Sequence, residues 1–217
     1  MEINAMKTRR ILMSVLGVVI CGVSVGIFKT AALGIDPFQT FMAGLDKVIP
    51  IPFGTLYVIT NIVLLSFSLI VDRHNIGLAT FINLFLLGYI VEWSYGFFQG
   101  LFPDPSMIGR FGLLVAAVVV ICFSSALYMT ADLGVSTYDA VAIVMAGKWK
   151  VAKFKYCRIM TDLVCVLTGC GLFLLGGGAL KDIPTIAGIG TIITAFFMGP
   201  LIEVFNVTVA RPMLKQK

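Results

Sequence analysis

Long apolar runs separated by short polar segments dominate this chain. A helix that crosses a bilayer needs about 20 mostly apolar residues, and six stretches meet that requirement. We predict membrane spans at residues 11–28, 53–71, 77–97, 111–129, 156–175 and 184–207. Two further segments, residues 36–48 and 136–147, are predicted to be short helices. They cannot cross a bilayer, because a helix of about 12 residues is only about 18 Å long.

Each short helix begins within a similar ten-residue segment, TAALGIDPFQ at 30–39 and TADLGVSTYD at 130–139. In each segment a glycine is followed by a residue that favours the N-cap of a helix. Asp36 precedes Pro37, a preferred first helical residue, and Ser136 precedes Asp139 by three positions, close to a capping box. The pattern predicts that a span ends at each glycine and that a short helix begins at once, either re-entrant, interfacial or packed within the protein.

The similarity between the two halves extends beyond these breaks. Residues 77–92 and 188–203 share six identities in sixteen positions, and residues 24–34 and 124–134 share five in eleven. We therefore predict two repeats in a single membrane domain, at about 11–98 and 111–208. Each repeat holds three spans, so the second copy enters the membrane from the opposite side, as in the inverted repeats of many secondary transporters. Asp36 and Glu92 are then expected in the outer half of the bilayer, and Ser136 and Glu203 in the inner half.

The paired Leu-Gly segments, each followed later by a Gly-x-[Ala/Gly]-Thr segment, resemble the bacterial YczE/YyaS/YitT family. The resemblance covers nearly the whole chain. It implies a multi-pass protein of the bacterial plasma membrane and indicates little about a substrate.

Composition agrees with an all-α polytopic membrane protein of six transmembrane helices. Hydrophobic residues make up 59% of the chain and charged residues only 12%, whereas soluble domains carry about 25% charged residues. With a cytoplasmic N-terminus, twelve of the sixteen lysines and arginines fall on the cytoplasmic side. The other four are Lys29, Lys47, Arg110 and Lys181. The positive-inside rule therefore predicts that both termini are cytoplasmic, and it explains the net charge of +5 without nucleic acid.

The helix breaks carry the main hypothesis of a binding site. A helix that begins inside a protein presents unpaired N–H groups and a positive dipole end, which suit an anion or another polar group. The candidate substrate-binding residues are Asp36, Gln39, Ser136, Asp139 and Asn83. The alternatives are an amphipathic interfacial helix at 36–48, and a purely structural helix–helix hydrogen bond at Asn83.

Ionisable residues within spans are candidates for ion coupling, because charge is costly in hydrocarbon. Asp162 lies in the fifth span, where the second span has Asn61. Its alternative role is an ion pair with Arg158, one turn earlier. Glu92 and Glu203 occupy matching repeat positions, and the alternative for each is a carboxylate that reaches the membrane interface.

Two functions fit these features. The first is a secondary transporter or permease for a small polar or anionic solute. The second is a membrane regulator or substrate-binding subunit that acts with a partner protein. An enzyme is not expected, since the chain lacks an HExxH motif and its one histidine, His74, falls in a predicted loop. No cofactor or metal site is predicted. The expected partners are the lipid bilayer, an unidentified small solute, and either a second copy or a partner membrane protein.

Overall fold

The computed structural model describes residues 2–73 and 76–214, and this part of the chain is helical with no β-strand. His74, which was expected in a loop, lies outside the described residues. The helices are α1 (Glu2–Ala31), α2 (Pro37–Val48), α3 (Phe53–Val71), α4 (Leu78–Leu101), α5 (Met107–Ala131), α6 (Thr137–Gly147), α7 (Phe154–Leu175), a 3₁₀ turn (Leu180–Asp182), α8 (Ile183–Ile186), α9 (Ile189–Phe205), a π-helical turn (Asn206–Ala210) and α10 (Arg211–Met213).

Within residues 2–73 and 76–214, six helical segments are long and apolar enough to cross a membrane, as the hydrophobic pattern predicts. They are α1, α3, α4, α5, α7 and the segment Leu180–Met213. Several helices extend beyond the apolar runs, because local capping sets their ends rather than hydropathy. At the start of α5, for example, the hydroxyl of Ser106 accepts a hydrogen bond from the backbone N–H of Gly109 at 3.3 Å.

The last span is interrupted, whereas the apolar run alone predicts one continuous helix over 184–207. Helix α8 ends at Ile186, and α9 begins at Ile189 after an extended Gly188. A Cβ atom on Gly188 would lie only 2.6 Å from the carbonyl oxygen of Leu33. The interruption therefore lets the loop after α1 approach the backbone at the start of α9.

The long helices α1 and α5 pack against each other at the centre of the bundle, α4 packs on α1, and α9 packs on α5. The short helices cross between the two halves, since α2 packs mainly against α7, and α6 packs against both α3 and α7. Both faces of α2 contribute buried residues: Met42 lies on the apolar stripe, while Gln39 and Thr40 are polar. The described structure therefore packs α2 within the protein.

One difference between the two halves lies in the packing of their last two long helices. Helix α3 packs closely on α4, where a Cβ atom on Gly88 would lie 2.6 Å from the Cβ atom of Tyr57. We call this contact the α3–α4 seam. The matching pair in the sequence repeat is α7 and α9, which we call the α7–α9 seam. In the described residues these two helices make no comparable contact, and Gly199, which aligns with Gly88, has no heavy atom within 4 Å of the position of a Cβ.

Candidate functional site

The two helix breaks share one backbone conformation. After α1, Ala32 and Gly34 have φ angles of 52° and 98°, and after α5, Asp132 and Gly134 have φ angles of 54° and 108°. These values lie in the left-handed region, which glycine adopts without steric cost. Each long helix therefore ends in the same turn and redirects the chain into a short helix.

Each break docks on the first turn of the last helix in the other half. The carbonyl of Leu33 accepts a hydrogen bond from the N–H of Gly190 at 2.8 Å, and the carbonyl of Leu133 accepts one from Ala79 at 2.9 Å. A Cβ atom on Gly34 would lie 2.4 Å from the nitrogen of Gly188. The breaks are thus fixed by backbone hydrogen bonds between the halves.

The predicted N-caps are confirmed. The carboxylate of Asp36 accepts from the N–H of Gln39 at 3.2 Å, and the hydroxyl of Ser136 accepts from the N–H of Asp139 at 3.1 Å. The second half of the expected capping box does not form. The Asp139 carboxylate instead accepts from the hydroxyl groups of Ser136, at 2.6 Å, and Tyr128, at 3.1 Å, so it is drawn into a side-chain network rather than back to the backbone.

Arg158 joins the short helix α6 to α7. Its guanidinium pairs with the carboxylate of Asp139, and its Nε lies 3.2 Å from the carboxylate of Asp162. The hydroxyl of Tyr138 also donates to Asp162 at 2.5 Å. Asp162 therefore forms the ion pair that the alternative hypothesis anticipates, yet it is only 6% exposed and belongs to a network that reaches the helix break.

The sequence pattern does not identify Arg158 as a site residue, because a basic residue at the start of the fifth span also fits the positive-inside rule. Its spacing of four residues from Asp162 was the available signal. Among residues 2–73 and 76–214, no three side chains of the metal-ligating types lie close enough to hold a metal ion.

The two short helices meet at their first turns. The rings of Phe38 and Tyr138, each two residues after its N-cap, stack with centroids 4.9 Å apart and planes 21° apart. Tyr57 packs edge-on against Phe38 at 5.9 Å, and Thr137 donates a hydrogen bond to the side chain of Asn61. The two N-termini therefore lie side by side.

A cavity of about 610 Å³ lies beside this contact. Seven of the eight candidate residues line it, together with Arg158. The seven are Asp36, Gln39, Asn83, Ser136, Asp139, Asp162 and Glu203. Glu92 does not line the cavity; its carboxylate accepts a hydrogen bond from the N–H of Gly54 at 3.2 Å, at the start of α3.

Three of the lining residues differ in how their polar atoms are bonded. Gln39 is 3% exposed, and its side-chain oxygen Oε1 has no hydrogen-bond partner in the described structure. Asn83 accepts from the hydroxyl of Tyr57 at 3.2 Å. Glu203 is exposed and pairs with Arg211 at 3.0 Å. Two buried side-chain atoms of the described residues have no hydrogen-bond partner, Oγ of Ser14 and Oε1 of Gln39, and of these two residues only Gln39 lines the cavity.

Three relatives of the chain carry descriptions that give no function. It is 25% identical over 201 residues to the uncharacterized membrane protein YczE of Bacillus subtilis (strain 168), covering 88% of this chain and 85% of that protein. It is 23% identical over 202 residues to the uncharacterized protein YyaS of the same organism, covering 93% and 94%. An uncharacterized protein of Haemophilus influenzae (strain Rd) is 23% identical over 206 residues, covering 94% and 86%.

No solved structure matches the chain. The likeness to YczE and YyaS confirms the resemblance noted from the Leu-Gly segments. A family model matches residues 8–207, which include both helix breaks, four spans entirely and most of the first and last spans. The chain is therefore a multi-pass membrane protein that belongs to the family of unknown function DUF6198.

Proposed function

We propose that the protein is a small secondary transporter or permease that moves a small polar solute by alternating access. In this proposal the chain forms two inverted repeats, at about 11–98 and 111–208, in a bacterial plasma membrane. Both termini are cytoplasmic, and α2 and α6 are re-entrant helices. The burial of residues on both faces of α2 supports a re-entrant helix over an interfacial one.

The observation that carries the proposal is the difference between the two seams. The α3–α4 seam is packed, whereas α7 and α9 stand apart, and the cavity is lined by residues of both separated helices. These include Asp162 on α7 and Thr194 on α9. If two repeats are structurally equivalent, the reverse arrangement is also accessible to the chain, and exchange between the arrangements opens a central site to each side in turn.

In the proposed orientation the described conformation faces the cytoplasm. Asp36 and Glu92 then lie toward the outer half of the bilayer, and Ser136 and Glu203 toward the inner half. Asp36, Gln39, Ser136, Asp139 and Asn83 contact the solute. Asp162, with Glu203 and Glu92, couples solute movement to an ion gradient.

Thiol labelling tests alternating access without knowledge of the solute. Cys21 lines the cavity, whereas Cys157 is fully buried and does not. Variants that keep only one of these cysteines would be treated with a membrane-impermeant maleimide in right-side-out and inside-out vesicles. Alternating access predicts labelling of Cys21 from both sides and no labelling of Cys157. Labelling of Cys21 from one side only would contradict the proposal.

Flux measurements test transport itself. Purified protein in liposomes would be compared with empty liposomes for uptake of radiolabelled methylguanidinium, methylurea and methylphosphonate, which differ in charge but little in size. We expect uptake of one charge class that is lost in Asp36→Ala and Asp139→Ala. Uptake that persists in both variants would show that the helix breaks do not form the transport site.

A further inference from the structure

The cavity holds a buried acceptor that no protein group satisfies. Gln39 is 3% exposed, and its Oε1 has no donor among the described residues. An acceptor left without a partner in a buried site is costly, and nearly all such groups in folded proteins have one. A bound molecule with an N–H or O–H group at this point would remove the cost.

Asp36 presents a second set of acceptor positions in the same cavity, one turn before Gln39. Its carboxylate accepts from the N–H of Gln39, and no lysine, arginine or histidine of the described chain lies within ion-pair distance of it. A carboxylate has about four acceptor positions, so its capacity is not exhausted by the cap. The Asp36 carboxylate and Oε1 of Gln39 can therefore both accept hydrogen bonds from a bound molecule.

The charges around the cavity favour a cation. Arg158 is shared between Asp139 and Asp162, and Glu203 pairs with Arg211. Carboxylates therefore outnumber cations, and of the four carboxylates that line the cavity only Asp36 has no ion pair with a described residue. The positive end of α2 does not reverse this balance, because the Asp36 carboxylate itself already caps it.

Aromatic rings complete the environment. Phe38 stacks on Tyr138 and meets Tyr57 edge-on, and all three rings line the cavity. Tyr138 is covered by the stacked ring of Phe38 and by the guanidinium of Arg158, which lies 4.5 Å from its ring centroid, so the rings serve as apolar walls of the cavity. The walls thus suit a ligand with a small apolar body beside its polar head group.

We propose that this cavity binds a small protonated amine or guanidine, whose N–H groups donate to the Asp36 carboxylate and to Oε1 of Gln39. Such a head group offers donors and no acceptor, which matches the two free acceptors. An anion would instead face a carboxylate and an amide oxygen. Binding of this cation depends only on the cavity. Its movement across the membrane rests on the proposed function.

The test is calorimetric titration of the full-length protein in phosphatidylcholine nanodiscs, corrected with empty discs. The probe is methylguanidinium, and methylurea is its neutral isostere. We expect methylguanidinium to bind at least tenfold more tightly than methylurea, and methylphosphonate not to bind. Equal affinity for the cation and its neutral isostere, or tighter binding of methylphosphonate, would overturn the proposal.

Two variants locate the site. Asp36→Asn keeps an N-cap, since asparagine caps helices as well as aspartate does, and should weaken methylguanidinium binding at least tenfold. Gln39→Met removes the unbonded oxygen at similar size and should weaken binding several-fold without lowering the melting temperature. Asp104→Asn, on an exposed loop carboxylate outside the cavity, is the control and should bind like the parent. A Gln39→Met variant that melts at a lower temperature would indicate that water satisfies the oxygen, and would overturn its role.

An ammonium group can also come from the head group of phosphatidylethanolamine. Repeating the titration in discs that contain this lipid distinguishes the sources. Unchanged binding assigns the site to a soluble cation, whereas competition by the lipid assigns it to the head group, and both retain the cationic site. Binding without flux in liposomes would remove the transport function and favour a binding subunit. Flux of another solute without cation binding would remove this inference alone.

Discussion

The α3–α4 seam and the α7–α9 seam occupy matching places in the sequence repeat, yet one is packed and the other is not. Across the α3–α4 seam the hydroxyl of Tyr57 donates to Asn83 at 3.2 Å, and Gly54 and Gly88 admit close approach of the two helices. Glycine permits such contact because it has no Cβ. This seam is therefore held by van der Waals contact and by a buried hydrogen bond.

The α7–α9 seam has different side chains at the same positions. Arg158 stands where α3 has Tyr57, and Thr194 stands where α4 has Asn83. Arg158 does not bond to Thr194; it pairs with Asp139 and Asp162 and so ties α7 to α6. The comparison teaches that the two halves use one framework for different contacts: α3 packs on α4 as well as on a short helix, whereas α7 packs on the short helices and makes no comparable contact with α9.

Loss of Arg158 should have the largest effect on stability. Arg158→Gln leaves the carboxylates of Asp139 and Asp162 without their cation, and an unpaired buried charge costs about 3 kcal/mol or more. Tyr57→Phe, the matching change in the α3–α4 seam, removes one hydrogen bond and should cost only about 1 kcal/mol. Denaturant unfolding in detergent micelles measures both free energies. Adding Asp162→Asn to Arg158→Gln should recover part of the loss, and equal losses for the two single variants would contradict the network.

The next largest difference in the free energy of unfolding is expected between alanine substitutions at Gly88 and Gly199, the matched glycines of the two seams. Gly88→Ala forces a Cβ to within 2.6 Å of Tyr57, and overpacking of this kind costs about 1–3 kcal/mol. Beyond its neighbours in the same helix, Gly199→Ala meets no atom within 4 Å in the described chain. It should change the free energy of unfolding by less than about 1 kcal/mol, because the gain from alanine's helix propensity is offset by contact of its Cβ with the ring of Pro200, the next residue.

The two glycine variants also distinguish an effect on stability from an effect on transport. If the α7–α9 seam closes during transport, Gly199→Ala should reduce flux in liposomes although it changes the stability of the protein little. Normal flux in that variant would mean that the seam does not close as its counterpart does.

The smallest difference in the free energy of unfolding is expected between alanine substitutions at the matched glutamates, Glu92 and Glu203. Glu92 accepts from the N–H of Gly54 across the α3–α4 seam, whereas Glu203 pairs with Arg211 in an exposed position. Glu92→Ala should cost about 1 kcal/mol. Glu203→Ala should cost less than that, since exposed ion pairs contribute about 0–1 kcal/mol, and its effect should vanish in high salt. A salt-independent loss at Glu203 would contradict the exposed pairing.

Features governed by local chemistry could be predicted from the sequence. The six spans follow from the length of the apolar runs, and the N-caps at Asp36 and Ser136 follow from residue types that cap helices next to a glycine. The repeat predicted that the two helix breaks share a central site, but not which of the candidate residues line one cavity; seven of the eight do so. Glu92 was the exception, because its helix face is set by the packing of α4 against α3.

Other features depend on contacts between distant segments and could not be predicted. Nothing local to Leu33 indicates that its carbonyl accepts from Gly190. The role of Arg158 was hidden because a basic residue near a span end also satisfies the positive-inside rule. The different packing of the two seams was unexpected, since the repeat by itself predicts that they are alike.

The most direct test of the account measures both seams in one experiment. Spin labels at Ile59 and Leu86 report on the α3–α4 seam, and labels at Met160 and Phe197 occupy the matching positions on α7 and α9; all four residues are exposed. In a background without the five native cysteines, pulsed electron–electron double resonance in nanodiscs should give a longer distance for the α7–α9 pair. Addition of a transported solute should then shorten this distance and lengthen that of the α3–α4 pair. Equal distances in the two seams, or no reciprocal change, would contradict alternating access by two inverted repeats.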